Sequence, residues 1–246
     1  MTIELIISDW EGCVGEPGGG RKPWPIKKMV SLRDALRKLA VPFVLCTGRQ
    51  FPYVEATIQA LDIFSDIPSV AENGVGLYYP KTKEVRLHPA ITPDIEKMMD
   101  RVRIRAYQIV TFGGTRGYGK EMCISLDPPE TLSIEEFHEL VIKRLSEFSD
   151  AIQISHSRSA VDITPKGINK GSGVEFLSEV SGIELAATVG IGDSQGDLAM
   201  LQLVGHPACP ANADDEVKRL VEYVSSYRTI DGVLDIIKHY TQECPH

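Results

Sequence analysis

Ile3-Glu4-Leu5-Ile6-Ile7-Ser8-Asp9-Trp10-Glu11-Gly12 opens the chain with a short, almost wholly apolar run that ends abruptly in acidic residues. A run of this length and character reads as a strand covered on both faces, the kind found in parallel sheets. Residues 41–46 read the same way. Between the two runs Met29, Leu32, Ala35, Leu36 and Leu39 recur at helical spacing, and Lys28, Arg33, Arg37 and Lys38 are left to face water. The result is a strand–helix–strand unit. Outward from it, the sequence predicts a second helix over 52–61 and an apolar stretch at 69–71, followed by the turn signal Glu72-Asn73-Gly74.

The grammar then changes. Residues 75–79 and 84–87 flank Pro80-Lys81-Thr82-Lys83 and read as an antiparallel hairpin. A helix over 93–105, a strand over 121–126, a helix over 133–148 and strands over 152–155 and 160–163 continue an α+β layer. Beyond Pro165 the first pattern resumes, with a helix over 170–180, an apolar strand over 187–191 and a helix opening after Gly192-Asp193-Ser194. The expected fold is α/β: a doubly wound parallel sheet formed by residues 1–79 and 165–246, with an α+β module, 80–164, inserted into it. Two consecutive domains, or one continuous sheet, are the alternatives. Gly18-Gly19-Gly20 marks a flexible turn.

Bulk properties narrow the function. The 246 residues are 43% hydrophobic and 24% charged, a balance suited to a globular protein with a sizeable core. No apolar run approaches the roughly 20 residues that cross a bilayer, and the first run lacks a basic leader, so a cytoplasmic protein without a membrane partner is expected. The five cysteines are scattered, with neither a Cys-x-x-Cys pair nor a His-x-His, and read as reduced thiols. A formal charge of -8 without a basic run argues against nucleic acid as a partner.

In an open parallel sheet, ligands sit beyond the carboxyl ends of the strands, so polar residues that follow apolar runs become the candidates. These are Asp9 and Glu11, Thr47-Gly48-Arg49, Asp193 and Asp197, together with Lys170 at a helix start. Taken singly, an acid after a strand is often a helix cap, and a lysine–aspartate pair is often structural. Together they supply a carboxylate nucleophile, further carboxylates for a hard cation, donors for phosphate oxygens and a balancing lysine. Phosphoryl transfer needs that inventory.

The sequence resembles the haloacid dehalogenase superfamily, in its branch of small-molecule phosphatases with an α/β cap inserted after the third core strand. The resemblance runs the length of the chain. It is carried by Ser8-Asp9-Trp10-Glu11-Gly12, Cys46-Thr47-Gly48-Arg49, Lys170-Gly171 and Gly192-Asp193-Ser194-Gln195-Gly196-Asp197, supported by Glu72-Asn73-Gly74, Thr164-Pro165-Lys166-Gly167 and Ala211-Asn212-Ala213. It implies that Asp9 attacks phosphorus to form an aspartyl-phosphate that water hydrolyses. It implies Mg2+ on the Asp9 carboxylate, the Glu11 backbone carbonyl and Asp193, with Asp197 close by. Thr47 and Gly48 would hold a phosphoryl oxygen, Lys170 would offset the gathered charge, and Arg49 and Asn212 join the substrate-binding candidates.

The chain departs from the family where Glu11 replaces an aspartate and Cys13 a threonine, and where Trp10 and the glycine- and proline-rich stretch 15–25 follow the first motif. Glutamate can do the same acid and base work, but one extra methylene adds about 1.5 Å of reach, and misplacement of about 1 Å can cost roughly 100-fold in rate. The competing reading is a catalytically impaired protein that binds a phosphorylated ligand as a regulatory module. Within the insertion, 113–120 is the most informative stretch. Its glycines allow close approach to a ligand, and Arg116 and Lys120 would meet a second anionic group or sugar hydroxyls, unless they are solvated cations of a surface loop. His156 and Arg158 are lesser candidates, and Asn73 and Asp162 are possible contacts near the hinge. The expected activity is Mg2+-dependent hydrolysis of a small phosphomonoester, a sugar phosphate or a phosphoglycerate- or phosphoglycolate-type acid, with Glu11 as an atypical general acid and base.

Overall fold

A computed structural model describes residues 2–17, 22–110, 114–157 and 159–241. The Gly18–Gly20 turn, Gly113, Arg158 and Cys244 lie outside the described residues. In chain order the elements are β1 (Leu5–Ser8), α1 (Ile26–Leu36), β2 (Phe43–Leu45), α2 (Phe51–Leu61), β3 (Ser69–Ala71), β4 (Gly76–Tyr79), β5 (Glu84–Leu87), α3 (Pro93–Val110), β6 (Thr115–Arg116), β7 (Ile124–Asp127), α4 (Ile134–Arg144), β8 (Ile152–His156), β9 (Val161–Pro165), α5 (Lys170–Ser181), β10 (Thr188–Ile191), α6 (Leu198–Leu201), β11 (His206–Cys209), α7 (Asp215–Leu220), β12 (Tyr223–Val224) and α8 (Thr229–Thr241).

The apolar runs form a parallel sheet of order β12-β11-β10-β1-β2, with Leu5 to Ser8 paired to Thr188 to Ile191 on one side and Ile6 to Ser8 paired to Phe43 to Leu45 on the other. Every residue of β1 is buried because both faces are covered. Ile6 packs with Met29 and Leu32 of α1, Val54 of α2 and Ile236 of α8; Leu5 and Ile7 pack on the opposite face with Val174 and Leu177 of α5 and Met200 of α6. This is the doubly wound arrangement, with β1 and β10 at its centre.

A single parallel bridge, Cys46 to Val70, links the sheet to β3, which pairs antiparallel with β4, and β4 in turn with β5. The hairpin at 76–87 shares its core with the parallel sheet, since Leu77 is buried with Val44 and Val70. The segment from α3 to β9 has a cluster of its own. One face of its antiparallel sheet, order β6-β7-β9-β8, places Ile124, Leu126, Val161 and Ile163 against Met99 and Val102 of α3 and Phe137 and Val141 of α4. The alternate positions Ser125 and Asp162 therefore point the other way, toward the parallel sheet.

Several elements differ in extent from expectation for physical reasons. Helix α3 continues to Val110 because Ala106 and Ile109 prolong its buried stripe. Strand β7 begins at Ile124 rather than 121, because the N–H groups of Glu121, Met122 and Cys123 are taken by the Glu72 carboxylate and are not free for a ladder. The helix expected over 133–148 stops at Arg144 and gives way to a short 3-10 turn, Ser146–Phe148. After Ser194 the chain makes a 3-10 turn, Gln195–Asp197, before α6. No helix among the described residues is long and apolar enough to cross a membrane, and the four described cysteines are free and buried.

Candidate active site

Strands β1, β2 and β10 run parallel and end at one edge, so the residues that follow them meet. Asp9 leaves β1 with its N–H donating to the Ile191 carbonyl, 2.8 Å away. Helix α5 opens with a capping box, in which Asn169 and Ser172 satisfy each other's N–H groups, and this fixes Lys170 in the first turn. The Lys170 Nζ lies 2.7 Å from Asp9 Oδ1 and 2.6 Å from Asp197 Oδ1. The second oxygen of Asp197 accepts from the N–H groups of Asp193 and Ser194, each at 3.0 Å, and from the Ser194 hydroxyl at 3.1 Å. Asp9, Thr47, Lys170, Asp193 and Asp197 are all buried.

Burial pushes the Asp9 carboxyl up to about 6; Lys170 opposes the rise and Asp197 adds to it. Burial disfavours the charge on Lys170, yet Asp197 and Asp9 outweigh it and hold the ammonium well above its ordinary value. One oxygen each from Asp9, Asp193 and Asp197 falls within 4.8 Å of the others, an arrangement that can hold a metal ion. Three buried carboxylates against one lysine leave an excess of negative charge, and oxygen donors suit a hard divalent cation.

The loop after Asp9 is tightly wound. Val14 N–H and Gly15 N–H donate to the Trp10 carbonyl at 2.9 and 2.6 Å, and Gly12 N–H donates to the Gly15 carbonyl at 2.9 Å. Gly12 has φ +83°, and a Cβ there would stand 2.0 Å from an Asp193 carboxylate oxygen, so both conformation and space require glycine. Asn212 donates from Nδ2 to the Gly12 carbonyl at 2.8 Å and accepts the Thr229 N–H at 2.8 Å, which ties the loop to α8. Glu11 forms an ion pair with Arg49, whose guanidinium carbon stands 4.8 Å above the Tyr53 ring.

A cavity of about 750 Å³ lies over this edge. Asp9, Thr47, Lys170 and Asp193 line its floor, and Lys120, Ser125, Gln153 and Asp162 line the facing side. Lys120 Nζ is 3.2 Å from Asp162 Oδ1, and Asn73 Nδ2 donates to Asp162 Oδ2 at 3.0 Å. Ser125 bridges the two, donating to Asp162 and accepting from Lys120. Burial works against the Asp162 charge, but Lys120, Ser125 and Asn73 hold its carboxyl below the usual range.

A sequence profile of haloacid dehalogenase-like hydrolases matches residues 127–237. A phosphoglycolate phosphatase of Methanothrix thermoacetophila is 38% identical over 242 residues, 96% of each chain. One from Methanosarcina acetivorans is 34% identical, covering 97% of this chain and 96% of its own. The chain belongs to the haloacid dehalogenase-like hydrolases. A crystal structure from Thermoplasma acidophilum, 24% identical, superposes with a TM-score of 0.72 over 98% of this chain and 99% of its own and shows the same fold.

In this haloacid dehalogenase-like hydrolase, a phosphatase by its relatives, most of the residues singled out by sequence come together. Asp9, Glu11, Thr47, Gly48, Arg49, Lys120, Lys170 and Asp193 all line the one cavity, and Asp197 stands fully buried behind Lys170. Two substrate-binding candidates are placed elsewhere. Arg116 is exposed, its guanidinium carbon 4.6 Å from the Tyr107 ring and 5.1 Å from the Tyr118 ring, and does not line the cavity. Asn212 is buried beneath the Gly12 loop, where it also reaches an Asp193 oxygen at 3.4 Å. His156 lines the cavity, and Asn73 and Asp162 bond each other there.

Sequence reasoning missed Ser125, Gln153 and Ser155 on the cavity side of the antiparallel sheet, although the alternation of Gln153 and Ser155 with apolar neighbours was a usable signal. It also read Glu72 only as part of a turn. That residue is fully buried with φ +51°, and its carboxylate accepts from the N–H groups of Glu121 (2.8 and 2.9 Å), Met122 (3.2 Å) and Cys123 (3.2 Å). Burial nonetheless pushes its carboxyl up to about 7.

Proposed function

We propose that the protein hydrolyses a small phosphomonoester through an aspartyl-phosphate on Asp9, with Mg2+ as cofactor. The observation that carries this reading is the buried Asp9–Lys170–Asp197 chain, joined by Asp193, on the floor of a cavity large enough for a phosphorylated metabolite. Lys170 holds Asp9 Oδ1, and Oδ2 is the atom assigned to attack. The Asp9–phosphorus bond forms as the bond to the leaving oxygen breaks, and Glu11 gives that oxygen a proton. Water then attacks phosphorus, Glu11 takes its proton, and Asp9 and inorganic phosphate are released.

Asp9, the Glu11 carbonyl and Asp193 are the groups that would hold Mg2+, which supplies charge stabilisation for the phosphoryl oxygens. Thr47 and the Gly48 N–H bind a phosphoryl oxygen, and Lys170 neutralises part of the negative charge that two carboxylates and a phosphate bring together. The inserted segment 80–164 acts as a cap that excludes water and reads the leaving group through Lys120, Gln153 and Ser155. The relatives' names make phosphoglycolate the first ester to try, followed by phosphoglycerates and sugar phosphates.

The test is inorganic phosphate release from such a panel, in Mg2+ and in chelator. Turnover that requires Mg2+ and falls by about four orders of magnitude in Asp9→Asn is expected. Hydrolysis that survives Asp9→Asn would remove the assigned nucleophile.

A further inference from the structure

Glu11 is one methylene longer than the aspartate usual at its position, and a longer side chain has more rotamers among which its carboxylate must be fixed. Three residues that the catalytic reading leaves without a role, Trp10, Trp24 and Tyr53, pack as one unit beside it. Tyr53 accepts a hydrogen bond from Trp24 Nε1 at 2.8 Å. The ring centroids of Trp10 and Trp24 are 5.4 Å apart, those of Trp10 and Tyr53 5.8 Å, and those of Trp24 and Tyr53 5.6 Å, all in edge contact. Trp10 is 2% exposed and is joined by a peptide bond to Glu11, so the base of the unit and the acid share one stretch of backbone.

Arg49 closes the circle. Its guanidinium lies over the Tyr53 face and its Nη2 meets Glu11 Oε1. Its backbone is fixed as well, with N–H donating to Thr47 Oγ1 at 3.2 Å and the carbonyl accepting Glu72 N–H at 3.0 Å. A planar guanidinium held on one face by an aromatic ring presents its edge in a fixed direction. We propose that Arg49 is a positioning residue for Glu11: mounted on the Tyr53–Trp24–Trp10 platform, it aims the longer acid at the leaving oxygen and so compensates for the extra methylene. The assignment rests on the phosphatase reading for its catalytic consequence, but the physical coupling of Arg49 to Glu11 does not.

Leaving-group dependence and fluorescence together test it. Proton donation matters for alkyl phosphates, whose leaving oxygen is strongly basic, and little for p-nitrophenyl phosphate. Arg49→Gln is expected to lower kcat/KM, which reports the first phosphoryl transfer and not the water step shared by all esters, about 100-fold on an alkyl ester, against less than about tenfold on p-nitrophenyl phosphate. Glu11→Gln should show the same pattern, and the double variant should be no worse than Glu11→Gln alone.

The chain's only two tryptophans are Trp10 and Trp24, so emission from the full-length protein reports this unit whether or not any ester turns over. Arg49→Gln and Glu11→Gln should each alter it, with non-additive effects in the double variant. Rescue by Arg49→Lys should be poor, because an ammonium lacks the planar fork. A rise in KM alone, equal for every ester and additive with Glu11→Gln, would make Arg49 a substrate ligand and overturn the proposal, as would additive emission changes. Absence of turnover in the wild type would instead defeat the phosphatase reading, and the emission cycle would still decide the coupling.

Discussion

Two lysine–aspartate centres face the same cavity from opposite sheets, and they differ in charge balance. On the parallel side Lys170 stands between Asp9 and Asp197 with Asp193 nearby, three carboxylates to one ammonium. On the antiparallel side Lys120 pairs with Asp162, whose other bonds come from the neutral groups of Asn73, Ser125 and Cys123. Lys170 and its partners are buried, and the Lys120 and Asp162 side chains are only 10% and 14% exposed, so neither centre can rely on bulk water for compensation. The first centre is complete only with further positive charge, and the second is already balanced. On the proposed function, the difference separates a site for chemistry on a phosphoryl dianion from one that holds a strand face in register while presenting hydrogen-bonding groups.

The largest effect is expected at Lys170. Lys170→Met leaves Asp9 and Asp197 without their shared cation, and a loss of about 3–5 kcal/mol in stability is expected in chelator. Urea unfolding measures it, and added Mg2+ should restore more of the stability in the variant than in the wild type. An unchanged midpoint would mean that the lysine does not balance the carboxylates.

A smaller effect is expected across the cavity. Asp162→Asn keeps the shape but removes the counter-charge of Lys120, and kcat/KM should fall about tenfold for the alkyl ester that the phosphate-release panel identifies but less than about threefold for p-nitrophenyl phosphate, whose leaving group makes little use of the cap. Steady-state kinetics on the two esters measure it, and an equal fall on both would mean that the Lys120–Asp162 pair does not act on the leaving group.

A further effect, read in stability and not in rate, concerns Glu72, which ties the start of β7 to the β3 end. Its carboxyl is raised in the folded protein from an ordinary 4.5 to about 7, so the protonated form favours folding. That contribution is fully present below about 4.5 and is lost as the pH rises toward 7. The urea midpoint should therefore decline over this window by more in the wild type than in Glu72→Gln. Equal slopes would show that Glu72 does not contribute to it.

These contrasts also show what the sequence made legible. The parallel side could be read because strand ends converge by topology: once residues 3–8 and 187–191 are strands, Asp9 and Asp193 must share an edge. Lys170 could be placed because a helix start faces that edge. The Arg49–Glu11 pair and its aromatic mounting could not be read, since Trp24 and Tyr53 are joined only by tertiary packing and each resembles an ordinary core residue in sequence. Glu72 was hidden for a related reason: its partners are backbone N–H groups roughly fifty positions away, which carry no side-chain signature. Arg116 misled because a cation in a glycine-rich loop looks available for ligand, whereas here its guanidinium packs beside two tyrosine rings.

The central claim is that Asp9 itself carries the phosphoryl group. Glu11→Gln protein, slowed in its second step, can be mixed with an ester bearing a radiolabelled phosphoryl group in Mg2+, quenched in acid and digested. Label retained on the peptide containing Asp9, and absent when Asp9→Asn is added, is the predicted result. Turnover with no label on that peptide, or label that persists in the Asp9→Asn protein, would contradict the account.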